Sequence, residues 1–129
     1  MELEALARRS AVTGDNNDFY VSDGTIDWTP FIKKIAHNIP GTEATNAYAF
    51  HAGLARSLAK CAAKVASQLG LEHAALSGGC WQNALLLDLT LPLLRVNGLR
   101  PLTHALLSPN DECVSVGQAF IGGPRLARS

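Results

Sequence analysis

An apolar repeat across residues 47–69 constrains this chain more than any other feature. Ala47, Phe50, Leu54, Leu58, Cys61, Val65 and Leu69 recur at spacings of three and four, the period of one face of an α-helix. Gly70 follows where a helix end favours glycine. The repeat predicts one long amphipathic helix with Arg56, Lys60 and Lys64 turned to water. The short apolar segment 73–77 reads as a buried strand, and residues 81–96 as a helix ended by Asn97-Gly98. Pro92 is expected to kink or split that helix, because proline lacks a backbone donor and crowds the preceding turn. Residues 102–107 are the next expected strand and 112–121 the last helix, stopped by Gly122-Gly123-Pro124. Ahead of the repeat, Thr29-Pro30 reads as a helix start, a capping hydroxyl followed by proline at the first helical position. That helix would carry Ile32, Ile35 and Ile39 on one face and end before Pro40-Gly41. The order α-α-β-α-β-α from residue 29 onward predicts an α/β domain with parallel strands. Its expected core includes Leu54, Leu58, Val65, Leu76, Leu86 and Phe120.

Residues 1–28 read as a lead-in. A helix over 1–7 places Leu3 and Leu6 or Ala7 on one face but has no capping residue before it, so it reads as the tail of something longer. The turn-rich run Thr13-Gly14-Asp15-Asn16-Asn17-Asp18 leads to a short strand at 19–21, closed by Asp23-Gly24. With 129 residues, the expectation is a single partial domain over 1–129, in which 29–129 form the α/β lobe. An apolar content of 47% with zero net charge fits a soluble globular protein and offers no basic excess to attract nucleic acid. No apolar run is long enough to span a bilayer, and the acidic amino terminus has no signal-peptide profile. Cys61, Cys80 and Cys113 have no CxxC spacing, which argues against a disulfide framework or a zinc knuckle and for a cytoplasmic location.

The chemistry-bearing residues cluster in two strand-turn-helix units. Ser77-Gly78-Gly79 stands between a strand and a helix, where glycines let backbone N–H groups approach an anion closely. The helix start adds unpaired donors and the positive end of its dipole. Ser108-Pro109-Asn110-Asp111 opens the last helix in the same way. Two such turns would form two sides of a cleft for a phosphoryl or nucleotide ligand. Each has a plainer reading, a tight turn for the first and an N-cap for the second. His51, beside the stripe of the long helix, reads as a boundary residue with one hydrogen bond rather than a catalyst or ligand. Cys80 and Cys113 sit where a thiolate would be stabilised, although small buried residues are the simpler account. Trp28 and Trp81 read as core or interface anchors. The four histidines show no i, i+3 or i+4 pair, so no metal site is self-contained.

Together these strings resemble one family. Leu76-Ser77-Gly78-Gly79-Cys80-Trp81-Gln82-Asn83-Ala84-Leu85-Leu86-Leu87 resembles the LSGG-x-aromatic-QN-x-LLL segment of the hydrogenase-maturation carbamoyltransferases, the HypF family. Pro109-Asn110-Asp111-Glu112-Cys113-Val114-Ser115-Val116-Gly117-Gln118-Ala119 is similar to its P-x-D-G-G-L-x-L-G-Q-A, with Glu112 and Cys113 in place of two glycines. Phe50-His51-x-x-Leu54-Ala55 resembles its FH-x-x-LA helix, and Met1-Glu2-Leu3-Glu4-Ala5-Leu6-Ala7 the segment that closes the preceding helix.

The resemblance implies the carboxy-terminal half of the fold shared by acetate and sugar kinases, heat-shock chaperones and actin (ASKHA). It implies part of a carbamoyltransferase of nickel–iron hydrogenase maturation, one that activates a carbamoyl group with ATP as carbamoyl adenylate. The group then passes to the C-terminal cysteine of a partner maturation protein. Ser77, Gly78, Gly79 and Asn83 would face the nucleotide, with His51 and Asn110 as further candidates. Asp111 would be one ligand of a divalent metal, whether zinc, iron or magnesium. The family's other metal ligands, a helical histidine pair of the amino-terminal half, do not occur in these 129 residues. The chain alone is therefore expected to be inactive in carbamoyl transfer. The nucleotide and metal belong to the full-length protein, and this chain alone holds either these or none. It is expected to pair as a homodimer, or with the missing amino-terminal half or a full-length HypF-like protein. The alternative expectation is a non-catalytic interaction module, a truncated or degenerate paralogue that binds a maturation partner or itself. An ATP-binding kinase-like fragment ranks third, since no phosphoacceptor base is apparent.

Overall fold

The structure is a computed structural model that describes residues 2–11, 19–22, 24–37, 42–104 and 114–126, with side chains in the last helix described to residue 121. Its elements run α1 (Glu2–Ala7), β1 (Tyr20–Ser22), β2 (Thr25–Asp27), α2 (Thr29–Ala36), α3 (Glu43–Leu69), β3 (His73–Ala75), α4 (Ala84–Val96), β4 (Arg100–Leu102) and α5 (Val114–Leu126). No described helix is long and apolar enough to cross a membrane.

The 27-residue helix α3 is the spine, and its ends are set locally. The Thr42 hydroxyl accepts from the Thr45 N–H at 3.2 Å, and Gly70 closes the helix at φ 66°. That left-handed conformation suits glycine, and it lets the Leu71 N–H reach back to the Ala66 carbonyl at 2.9 Å. The buried face of α3 differs from the expected stripe. Ala47, Ala49, Ala52, Ala55, Ala59 and Ala66 are buried, Leu54 and Leu58 are half-buried, and Val65 and Leu69 are exposed. Small residues let neighbouring helices approach closely, so the alanines take the contacts. The large residues near the C-terminal end run past their partners. Arg56 is half-buried rather than turned fully to water, while Lys60 and Lys64 are exposed.

Three clusters pack on this spine. Ala59 and Ala66 meet Leu76, Leu94 and Leu99, with Trp81 partly buried against them. Ala47 meets Ala7 of α1 and Leu85 of α4. On the other side, Phe19, Phe31 and Ala49 are buried together, and the rings of Phe19, Phe31 and Phe50 lie 5.3–5.9 Å apart, within the range of favourable aromatic pairing. This aromatic cluster seats α2 and an antiparallel hairpin, β1 with β2, whose second strand the sequence pattern did not reveal.

Helix α2 corrects two expectations. Trp28, not Thr29, occupies the N-cap position, with Pro30 in the first turn. The Thr29 N–H donates to Asp27 Oδ1 at 2.9 Å. The Thr29 hydroxyl first, and this N–H after it, hold the Asp27 carboxyl below its usual range. The residue that α2 buries is Phe31, whereas Ile32 and Ile35 are exposed. Ile39 and Pro40-Gly41 lie outside the described residues. Asn110, Asp111, Glu112 and Cys113 also lie outside them.

Strands β3 and β4 pair in parallel, with His73 opposite Arg100 and Ala75 opposite Leu102. β4 begins two residues earlier than expected, because Pro101 is harmless where it stands. The ladder uses the Arg100 N–H, which donates to Glu72 O, and the Leu102 carbonyl, which accepts from the Leu76 N–H. The missing Pro101 donor therefore falls on the side away from β3. Pro92 does not split α4. Both Pro92 and Asp88, whose carbonyl loses its partner, are exposed, so the lost bond lies on the wet side. The end of α4 is a Schellman motif. Leu99 N–H reaches Leu94 O and Gly98 N–H reaches Arg95 O, each at 3.0 Å, while the Leu94 and Leu99 side chains pack together. Helix α5 carries Val114, Val116, Phe120 and Ile121 exposed, so Phe120 is not core. It also continues past Gly122-Gly123-Pro124 to Leu126, and no described contact accounts for this.

Glu4 of α1 closes the start of α4. Its Oε1 accepts from the Leu85 N–H at 3.1 Å and pairs with Arg8 Nη2 at 3.1 Å. The Leu85 bond first, and Arg8 after it, hold the Glu4 carboxyl below the ordinary glutamate value. A depressed carboxyl stabilises the fold above the unfolded-state pKa of about 4.3, and that stability is lost as pH falls through the folded value. Glu4→Gln should cost about 0.5–2 kcal/mol at neutral pH, the usual range for losing a helix cap. The difference should shrink toward zero below about pH 4, as followed by denaturant unfolding across pH.

Gly53 provides a second test. A Cβ there would lie 2.5 Å from two atoms of the Phe19 ring. Helix propensity alone favours Gly53→Ala by about 1 kcal/mol, but overpacking at this contact should outweigh it. We expect net destabilisation of about 1–3 kcal/mol, read as a lower denaturation midpoint.

Candidate functional site

The parallel pairing of β3 and β4 brings their carboxyl ends to one edge. Beyond β3 the chain enters Ser77-Gly78-Gly79, and beyond β4 it continues through Thr103 and His104. His104 Nε2 and Ser77 Oγ lie 3.1 Å apart, joining the two segments. Open α/β sheets place ligands at such an edge.

The two glycines are not equivalent. Gly78 sits at φ 102°, ψ 161°, a region essentially closed to side chains, so the backbone itself requires glycine there. Gly79 does not adopt a positive φ, and a Cβ placed on it would meet nothing within 4 Å. Nothing described in the fold demands glycine at 79. Residues 79–82 form a 3-10 turn, whose leading N–H groups have no partner within the turn. Cys80 is exposed on it.

Asn83 links the turn to the helix that follows. Its Oδ1 accepts from the Leu86 N–H at 2.9 Å, which caps α4. An N–H can only donate, so Oδ1 faces α4 and the amide nitrogen faces His51, 2.9 Å from Nε2. His51 is 3% exposed, and its Nδ1 lies 2.8 Å from the Ala47 carbonyl. A carbonyl can only accept, so Nδ1 carries the proton and Nε2 accepts from Asn83. The whole set closes on one tautomer. His51 is thus a buried, doubly bonded residue rather than a boundary one. Neither residue is loosely held, and Asn83 is engaged at both ends of its amide.

Of the expected site residues, Ser77, Gly78, Gly79, Asn83 and His51 gather around the start of the turn and of α4. Asn110 and Asp111 lie outside the described residues. Glu4 and His104 join this group without having been singled out. Glu4 binds a backbone group 81 residues away, and His104 bonds a serine 27 residues away. No local spacing signals either. Among the described residues there is no cluster of three metal-ligating side chains. A cavity of about 60 Å³ lies at the same edge, lined by Leu76, Trp81, Leu87, Thr103 and His104. It is far below the 300 Å³ or more of an ordinary ligand pocket, so a nucleotide would have to lie over the turn rather than inside it.

Residues 1–118 match the family profile described as carbamoyltransferase, Kae1-like domain, second subdomain. The carbamoyltransferase HypF of Rhizobium leguminosarum bv. viciae is 35% identical over 118 residues, covering 92% of this chain and 15% of that protein. The carbamoyltransferase HypF of a Synechocystis strain is 38% identical over 93 residues, covering 72% and 12% respectively. The crystal structure of T. kodakarensis HypF superposes with a TM-score of 0.82 at 30% identity, over 98% of this chain and 17% of that one. The chain therefore spans less than a fifth of the length of these relatives. The fold is the α/β arrangement of short strands and a long helix found in the HypF Kae1-like domain, and the chain belongs to the HypF carbamoyltransferase family as a carboxy-terminal subdomain.

Proposed function

We propose that this chain is one lobe, over residues 1–129, of an ASKHA-type transfer domain, and that it forms one wall of a nucleotide site used in carbamoyl transfer during hydrogenase maturation. The observation that carries this reading is the meeting of the two strand ends at Ser77 and His104. Gly78 sets the turn, Gly79 leaves the backbone open to a phosphoryl group, and Asn83 with His51 holds the turn against α4. The ligand is ATP or carbamoyl adenylate. Asp111, seven residues beyond His104, would add a hard oxygen to a divalent zinc, iron or magnesium ion. The described residues form no ligand set for such an ion. The rest of the site would come from the longer protein, and the acceptor would be a maturation protein with a C-terminal cysteine, in the cytoplasm.

An interaction module is the second reading, and one surface favours it. Leu3, Leu6, Ile32, Ile35 and Phe50 line an apolar groove of about 370 Å³, and α5 exposes apolar side chains as well. Surfaces of this kind rarely stay open to water. We expect the isolated chain to self-associate, with dimer mass by light scattering, and to transfer no labelled carbamoyl group alone. A strict monomer or turnover by the chain would contradict these two expectations in turn.

The glycine pair separates the nucleotide reading from a purely structural turn. Calorimetry with ATP and a divalent ion should show binding that Gly79→Ala weakens by about tenfold or more, with thermal stability unchanged. Gly78→Ala should instead destabilise the fold by about 1–3 kcal/mol. If ATP binds equally well to Gly79→Ala, the nucleotide does not approach this turn.

A further inference from the structure

A second cavity lies across α3 from the glycine turn. At 100° per residue, Gly53 and Lys60 fall on the side of the helix opposite His51. Because Gly53 has no side chain, Phe19 packs directly over the helix. Beside that contact, a cavity of about 230 Å³ opens between α3 and the strand residues Tyr20 and Val21. Its α3 wall carries Arg56, Ser57 and Lys60, and no carboxylate lines it among the described residues.

We propose that this cavity is a binding site for a small oxyanion, separate from the nucleotide turn. Ser57 is 3% exposed, and what shows of it lines the cavity. A serine hydroxyl on this wall can donate to an anionic oxygen in the cavity. Lys60 forms no ion pair among the described residues, so its ammonium stands ready one turn further along the same wall. Arg56 has an interaction of its own and adds positive charge at the rim. Phe19 and Val21 form the apolar side of the cavity. A lower local dielectric strengthens a charge-assisted bond. The chain as a whole is neutral, so this paired positive charge is a local feature. The volume lies below that of drug-sized pockets. The occupant is therefore a compact molecule that presents a phosphate or carboxylate group and a short apolar body.

The test is an amide-resolved NMR titration of the chain with sodium phosphate and, separately, sodium acetate, each against sodium chloride at equal ionic strength. Saturable shifts should appear at Tyr20, Val21, Gly53, Ser57 and Lys60. Lys60→Gln should weaken the response about tenfold and Ser57→Ala several-fold, while Lys64→Gln on the same helix outside the cavity should leave it unchanged. Saturation by phosphate alone assigns a phosphate-bearing ligand, and saturation by acetate alone assigns a carboxylate. Saturation by neither, or an equal loss in Lys64→Gln, overturns the proposal. ATP binding at the glycine turn is read from other amides, so failure of one site leaves the other standing.

Discussion

The bond from Asn83 to His51 is the interaction on which the arrangement of this chain depends. α3 and the turn that precedes α4 come from distant parts of the sequence, and a 2.9 Å contact between a buried histidine and a half-buried asparagine joins them. The apolar packing of α3 on α4 is carried by alanines and leucines, which tolerate sliding better than a hydrogen-bond set does. Directional bonds remove that freedom. Ala47 O, His51, Asn83 and Leu86 N–H form a chain in which each donor meets an acceptor, and reversing any member would leave a buried group unpaired.

This polar set also determines what the glycine turn can do. With Asn83 capping α4 and Glu4 accepting from Leu85, the first donors of α4 are already committed to protein groups. The positive end of that helix is thereby partly neutralised. An incoming phosphoryl group would find its donors in the 3-10 turn and in the backbone at Gly79. That shifts the weight of the proposed site from the helix dipole to the turn itself. It also gives Asn83 and His51 a positioning role, since each spends its hydrogen bonds on the protein.

The sequence exposed the elements whose signals are local. Gly70 marks the end of α3, and the LSGG-to-leucine string announces β3, the turn and α4. The family resemblance rests on those same residues. What it concealed was set by distant partners. The hairpin strand β2 is three residues long and, among the described residues, pairs only with β1. Phe31 rather than Ile32 or Ile35 turns inward because Phe19 and Phe50 wait there. A large-residue stripe predicted burial for Val65, yet the contacts belong to alanines. Glu4 and His104 were invisible for the same reason, as each meets a partner far along the chain. The motifs of the candidate site were therefore legible, while the bonds that tie them together were not.

The central claim is that His51 is locked in one tautomer by Ala47 and Asn83. Long-range proton–nitrogen NMR of the histidine ring reads this directly. The account predicts a protonated Nδ1 and a bare, hydrogen-bonded Nε2 at neutral pH, with the two nitrogens becoming averaged in Asn83→Ala. A ring protonated at Nε2, or one that averages in the native chain, would contradict it.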